Sequence, residues 1–178
     1  MKWICTLYYE MCKQSTIKRG NKIIGQTGGL YGASNHVAQG YDTWATPDGR
    51  KTGEPIADAA SPAQGRDKNG PTAVFRSEAK IGQGRFMDGV AVNVRIHPTV
   101  LSREDGIRKL IALTQSYFAQ GGMEVQFNVV SSETMRKAQE TPEDYRDLIV
   151  RIAGYSAYFV ELSRDCQNDV ISRTENNF

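Results

Sequence analysis

The sequence predicts an α/β protein in which strands alternate with helices. Three observations support this class: an apolar alternation over residues 90–96, a long amphipathic helical pattern over 102–121, and a second strand pattern over 123–130. Because a helix separates the two strands, they can pair in parallel through a crossover connection. We therefore expect most of the strand pairing to be parallel.

The first third of the chain is predicted to contain one helix followed by long loops. Apolar residues recur at helical spacing over 2–15. This helix has no N-cap, which favours the interpretation that another segment precedes it. Residues 18–69 are rich in glycine and proline, with one or two short strands expected around residues 30–37. Loops of this length are uncommon in a compact domain, so they are either functional or lie against further protein surface.

Residues 71–121 predict a helix, a strand and a second helix. Pro71 occupies the first position of the first helix. The strand places Val90, Val92, Val94 and Ile96 on one face. Ser102 is the expected N-cap of the long helix, and Gly121 ends it.

The remaining elements continue the alternation. The next strand places Val125, Phe127 and Val129 on one face, and a helix over 132–139 ends before Pro142. A hydrophobic strand then runs to Ile152, and a final helix begins after Ser163 as its N-cap.

Composition and motif searches exclude several functional classes. The net charge is +2 without long runs of like charge, which argues against a nucleic-acid or membrane-surface partner. Three cysteines and two widely separated histidines predict neither a disulfide scaffold nor a metal centre, so no metal site is expected. The glycine-rich segments lack the spacing of phosphate-binding loops. We expect a cytoplasmic protein, since neither a signal peptide nor an apolar span is evident.

A single glycine, Gly154, interrupts the apolar segment LIVRIAGYSAYFVEL at residues 148–162. Glycine at this position is typical of a tight turn between a strand and the next element. It also permits one unusual chemistry, because an α-carbon without a Cβ can flatten after losing a hydrogen atom. The resulting radical would be delocalised over the two flanking peptide groups. The apolar flanks would then keep oxygen and water away from it.

Residues 28–174 resemble the C-terminal end of the glycyl radical enzymes, the pyruvate formate-lyase family. The resemblance rests on VRIAGYSAYFVEL, followed by QNDVISRTE, and on ATPDGRKTGEPIAD and GMEVQFNVVSSETMRKAQETPEDYRDLIVR upstream, in that order. The segments AGYSAYF and QFNVV are most similar to the glycerol/diol dehydratase and decarboxylase branch of lyases, which belong to anaerobic metabolism.

This resemblance implies that Gly154 stores the radical. A separate radical S-adenosylmethionine activating enzyme, carrying a [4Fe-4S] cluster, would install it, so no cofactor is expected on this chain. Arg151, Ile152, Ala153 and Tyr155 match the motif that the activating enzyme grips. Packing of the loop is an equal alternative for Ile152 and Ala153.

The implied fold is the C-terminal part of a ten-stranded β/α barrel, with a glycyl radical loop and a final helix. Residues 1–57 would supply a late barrel helix, a strand and long loops, and residues 58–178 the glycyl radical domain. Tyr31, on a late barrel strand, matches a position that lines the substrate pocket, although an aromatic core residue is an equal alternative.

The family's thiyl-forming cysteine has no counterpart among Cys5, Cys12 and Cys166. The chain is therefore expected to carry the radical but not to turn over substrate alone. We favour the C-terminal portion or subunit of a larger enzyme, whose partners are the activating enzyme and the rest of the barrel. Two alternatives stay open: an autonomous spare-part protein that docks onto an oxygen-damaged enzyme, and a folded remnant without radical function.

Overall fold

The computed structural model describes residues 2–32 and 34–177. Within them, the α-helices span Lys2–Gln14 (α1), Asn35–Tyr41 (α2), Gly70–Ala79 (α3), Pro98–Leu101 (α4), Glu104–Ala119 (α5), Ser132–Glu140 (α6) and Arg164–Ser172 (α7). The strands span Thr16–Arg19 (β1), Lys22–Gly25 (β2), Asn93–Ile96 (β3), Gln126–Asn128 (β4), Ile149–Arg151 (β5), Ser156–Tyr158 (β6) and Glu175–Asn176 (β7). None of the helices in these residues is long and apolar enough to cross a membrane.

A three-stranded parallel sheet with order β4-β3-β7 organises the second half of the chain. This confirms the predicted α/β class, but the expectation that most of the strand pairing is parallel is wrong. Strand β3 pairs in parallel with β4 and β7, whereas β1-β2 and β5-β6 are antiparallel because their short connections reverse the chain. The central strand β3 is buried on both faces: Val94 and Ile96 pack in the main hydrophobic cluster with Phe75 and Tyr117, and Arg95 on the other face is also buried. Two antiparallel hairpins, β1-β2 and β5-β6, lie outside this sheet.

The prediction of one or two short strands around residues 30–37 is wrong. Residues 35–41 form α2, and Leu30 makes only an isolated parallel bridge with Val90. The strand pairing lies earlier, in the β1-β2 hairpin, whose two-residue connection is Gly20-Asn21 with a positive φ of 58° at Gly20. A Gly-Asn pair between two strands that contain isoleucine is a hairpin signal, because its backbone matches the twist of the strands.

Ser102 does not cap the long helix. Its hydroxyl donates to the carbonyl of Thr99 at 2.8 Å and so belongs to the short helix α4, which His97 caps through Nδ1. Helix α5 begins two residues later, at Glu104, without a side-chain cap. By contrast, the predicted cap at Ser163 is confirmed, since its side chain accepts a hydrogen bond from the Cys166 amide.

A second hydrophobic cluster lies beneath the β5-β6 hairpin. It joins Met135 and Ala138 of α6, Val170 of α7, and Phe159 just after β6 to Val150, Ile152 and Ala153 of the hairpin. Each of these side chains is at most 2% exposed. The buried side chains of this cluster therefore fix the hairpin, and the turn that contains Gly154 projects beyond them.

Candidate functional site: a glycine at the tip of a hairpin

Gly154 lies in the connection between β5 and β6. The amide of Ile152 donates to the carbonyl of Tyr155 at 3.0 Å, so Ala153 and Gly154 form the turn, as the tight-turn interpretation predicted. Gly154 has a φ of +84°, which side-chain-bearing residues rarely adopt. A Cβ built on it would meet only the carbonyl oxygen of Gly32, at 3.9 Å. The backbone conformation, rather than lack of space, therefore requires glycine.

The two peptide groups that flank the Gly154 α-carbon are both held by side chains. The Gly154 amide donates to Oε1 of Gln126 at 3.1 Å, across 28 residues of sequence. The Gly154 carbonyl accepts from Nη2 of Arg151 at 3.4 Å. Arg151 is itself anchored, since its Nε donates to the same Gln126 oxygen at 2.7 Å and its Nη1 donates to Ser156 at 3.1 Å.

The strand before the glycine is fixed by Asn128. Its side chain donates to the Arg151 carbonyl at 3.2 Å and accepts from the Arg151 amide at 3.4 Å. This pair of bonds imitates one step of a β-ladder, because an amide side chain offers both a donor and an acceptor. Strands β4 and β5 are thereby joined through side chains.

A buried charged cluster, formed by His36, Asp58, Asp169 and Arg173, supports the hairpin from the other side. Nη1 of Arg173 donates to the carbonyl of Ile152 at 2.7 Å, and its Nη2 lies 2.8 Å from Asp169 and 3.6 Å from Asp58. His36 lies between the same two carboxylates, with Nε2 3.0 Å from Asp169 and Nδ1 3.7 Å from Asp58.

The two carboxylates of the charged cluster respond differently to burial. Burial opposes ionisation of Asp169, but its hydrogen bond from His36 and the charge of Arg173 outweigh that effect and lower its pKa. For Asp58, burial dominates over the attraction of Arg173 and His36, so its pKa is raised. The difference follows distance, because Arg173 contacts Asp169 more closely than Asp58.

The four residues of the expected activase motif divide into two pairs. Ile152 and Ala153 are 1% and 2% exposed in the cluster beneath the hairpin, as the loop-packing alternative for them predicted. Arg151 is half-buried and Tyr155 is 39% exposed. The Tyr155 hydroxyl donates to Ser34 at 3.4 Å and so connects the hairpin to the loop that precedes α2.

Tyr31 lies in this neighbouring loop and not on a strand. Its side chain is 62% exposed, so the alternative of an aromatic core residue is wrong for the chain as described. The next residue, Gly32, places its carbonyl oxygen toward Gly154. The structure thus brings the loop of Tyr31 beside the hairpin, although more than a hundred residues separate them.

The expected apolar enclosure of Gly154 is wrong for this chain. Gly154, Tyr155 and Ser156 are exposed, whereas the apolar flanking residues Ile152 and Phe159 point into the core beneath them. The reason is that side chains alternate along the two strands of the hairpin. Its buried apolar side chains pack into the hydrophobic cluster beneath it, and none of them covers the turn at Gly154. The same exposure leaves the tip accessible to another protein.

Sequence reasoning missed Gln126, Asn128 and Arg173. The apolar face predicted for β4 does pack against the main hydrophobic cluster through Val125 and Phe127, but the opposite face is buried too, with Gln126 and Asn128 at 9% and 6% exposed. The sequence did offer one signal for this second buried face, because two amide side chains stand at alternate positions of a short strand. In the described ranges, no three His, Cys, Asp or Glu side chains are grouped to hold a metal ion.

Comparison with known proteins places this site in a family. The sequence model described as "Glycine radical" matches residues 56–160, more than half of the chain, including the hairpin. A probable dehydratase, YbiW, from Escherichia coli is 45% identical over 157 residues, which cover 85% of this chain and 19% of that protein. The 4-hydroxyphenylacetate decarboxylase glycyl radical subunit of Clostridioides difficile is 44% identical over 143 residues, covering 80% and 16%.

A solved structure is similar over the whole described fold. The glycerol-bound B12-independent glycerol dehydratase of Clostridium butyricum aligns with a TM-score of 0.93 and 42% identity, covering 99% of this chain and 22% of that one. The chain thus spans about a fifth of the length of the proteins it matches. These relatives are dehydratases and decarboxylases, which favours the larger-enzyme interpretation over the spare-part protein. The chain belongs to the glycine radical family and is homologous to the C-terminal parts of glycyl radical dehydratases and decarboxylases.

Proposed function

We propose that Gly154 stores the radical, and that the chain acts as the C-terminal portion or subunit of a dehydratase or related lyase. The observation that carries the proposal is a glycine with φ +84° whose two flanking peptide groups are both held by side chains. Removal of one α-hydrogen leaves a radical that those two groups delocalise. An alanine at this position could not flatten without bringing its methyl group against the neighbouring peptide.

The radical would be installed by a separate radical S-adenosylmethionine activating enzyme with a [4Fe-4S] cluster, which would abstract one α-hydrogen of Gly154. Arg151 and Tyr155 are the accessible residues beside it. Ile152 and Ala153 are buried, so an enzyme that gripped all four residues would have to draw the hairpin away from its hydrophobic base.

The rest of a ten-stranded barrel would cover the hairpin after activation. Two observations support this proposal: Gly154 is exposed in the chain, and the relatives are about five times longer. Residues 1–57 would join that barrel and residues 58–178 would form the radical domain. Tyr31, exposed and beside the hairpin, would face the substrate pocket between the two parts, in a cytoplasmic enzyme.

The test of the radical site is electron paramagnetic resonance of the chain after anaerobic incubation with the activating enzyme and S-adenosylmethionine. We expect a doublet from the single remaining α-hydrogen, and its absence in Gly154→Ala. On exposure to air, the wild-type chain should be cleaved at Gly154. Gly53→Ala is the matched control, since Gly53 has a φ of +85° in open space far along the chain and should keep the signal. A doublet that survives Gly154→Ala would refute the assignment.

The chain by itself is expected to catalyse no dehydration or decarboxylation. None of its three cysteines matches the thiyl-forming cysteine of the family, and none is a member of the hydrophobic cluster beneath the hairpin in the described residues. The measurement is product formation from glycerol, hydroxyproline and 4-hydroxyphenylacetate by the activated chain, alone and with the separately expressed upstream part of a homologous enzyme. Turnover by the chain alone would contradict this expectation.

A further inference from the structure

We propose that Gln126 is the positioning residue of the radical glycine: its side-chain oxygen holds both the Gly154 amide and the Arg151 guanidinium that in turn holds the Gly154 carbonyl. The inference rests on the proposed function of Gly154. It assigns the radical's geometry to a residue outside the glycine motif, on a different strand.

One oxygen atom serves both contacts. Oε1 of Gln126 accepts from Gly154 N at 3.1 Å and from Arg151 Nε at 2.7 Å. A side-chain carbonyl has two lone pairs, so both are used. Because both partners are donors, the orientation of the Gln126 amide is determined by its chemistry: the NH₂ group could satisfy neither of them.

The position of Gln126 makes these contacts stiff. It lies on β4, which pairs with the central strand β3, and it is 9% exposed. Burying an amide side chain is unfavourable unless it is hydrogen-bonded, and here the hydrogen bonds lead to the hairpin tip. The otherwise exposed tip is thus connected through one side chain to the parallel sheet.

Fixing both peptide groups matters because delocalisation of the radical depends on how their planes are oriented across the α-carbon, and therefore on φ and ψ of Gly154. A turn free to rotate would start from many orientations, whereas a held turn starts from one, with φ at +84° before the hydrogen is removed. Gln126 restrains the N-terminal peptide directly, and it restrains the C-terminal peptide through Arg151, whose Nη2 reaches the Gly154 carbonyl at 3.4 Å. Such a residue prepares the geometry before the hydrogen is removed.

Gln126→Met tests this role, since methionine has a similar length and no strong acceptor. Without the radical, we expect the Gly154 amide to exchange with deuterium about tenfold faster, as one lost hydrogen bond predicts. After activation, we expect a loss of most spins per folded chain and a broader doublet. Gln126→Glu keeps an acceptor for both donors and should restore the signal. If Gln126→Met does not fold, Gln126→Asn replaces it in the test. Its acceptor lies one methylene closer to the backbone, so we expect the same faster exchange and the same loss of signal.

Gln120→Met is the matched control, because it makes the same substitution at an exposed residue after α5, whose side chain donates to Ser116 and not to the hairpin. It should leave the shape of the doublet unchanged. A folded Gln126→Met or Gln126→Asn chain with wild-type amide exchange, spin yield and line shape would overturn the role of Gln126. Absence of a doublet from the wild-type chain would instead refute the proposed function, while the exchange measurement still reports whether Gln126 holds the turn.

Discussion

Replacing Arg173 with methionine is expected to lower the free energy of unfolding by about 3 kcal/mol, because removing one partner of a buried ion pair leaves uncompensated charge. Arg173 is 13% exposed in its side chain and faces two carboxylates that are at most 3% exposed. Without it, Asp58 and Asp169 would share only His36. The Ile152 carbonyl would also lose its donor.

Chemical denaturation at pH 7 measures this change, with Arg164→Met as the control. Arg164 is exposed at the start of α7, the helix that carries Asp169, so its replacement should shift the free energy of unfolding by less than about 0.5 kcal/mol. Equal effects of the two substitutions would contradict the stabilising role that we assign to Arg173 in the charged cluster. Amide exchange of residues 152–155 should rise in the Arg173 variant even where the global fold persists.

Glu78 is expected to make the protein less stable as pH rises from about 4.5 to 7. Burial raises its pKa to about 7 from an ordinary value of 4.5. Over this range the unfolded chain releases the proton while the folded chain retains it, so the free energy of unfolding falls by about 3 kcal/mol in total. Above pH 7 the carboxylate is ionised in both states, and this contribution becomes constant.

Gln at position 78 keeps the shape of the protonated acid and has no proton to lose. Glu78→Gln should therefore remove most of the pH dependence and raise the free energy of unfolding at pH 8 by about 1–3 kcal/mol. Glu10→Gln, at an exposed position of α1, is the control and should follow the wild type. Denaturation curves of the three proteins between pH 4.5 and 8 provide the comparison. Parallel pH profiles for wild type and Glu78→Gln would show that Glu78 is not protonated in the folded chain.

Much of the fold follows from local pattern. The helical period predicted α1 and α5, the cap at Ser163 predicted α7, and the alternation around Val94 predicted the central strand of the sheet. The errors have local causes too. A Gly-Asn turn was overlooked in favour of strands further along, and Ser102 resembled a cap although its hydroxyl bonds backward to Thr99.

The sequence alone determined the family and the order of the elements in the second half of the chain, and it singled out the glycine that we propose as the radical site, because these depend on a continuous motif. The tertiary structure decided how that glycine is held. Gln126 and Arg173 reach the hairpin from β4 and from the end of α7. Alternation along a strand separates its two faces but does not say which neighbour each face meets, and so buried amides at 126 and 128 resembled a solvent face. Long-range packing decides this, because it places the polar face of β4 against a hairpin whose backbone groups need hydrogen-bond donors and acceptors.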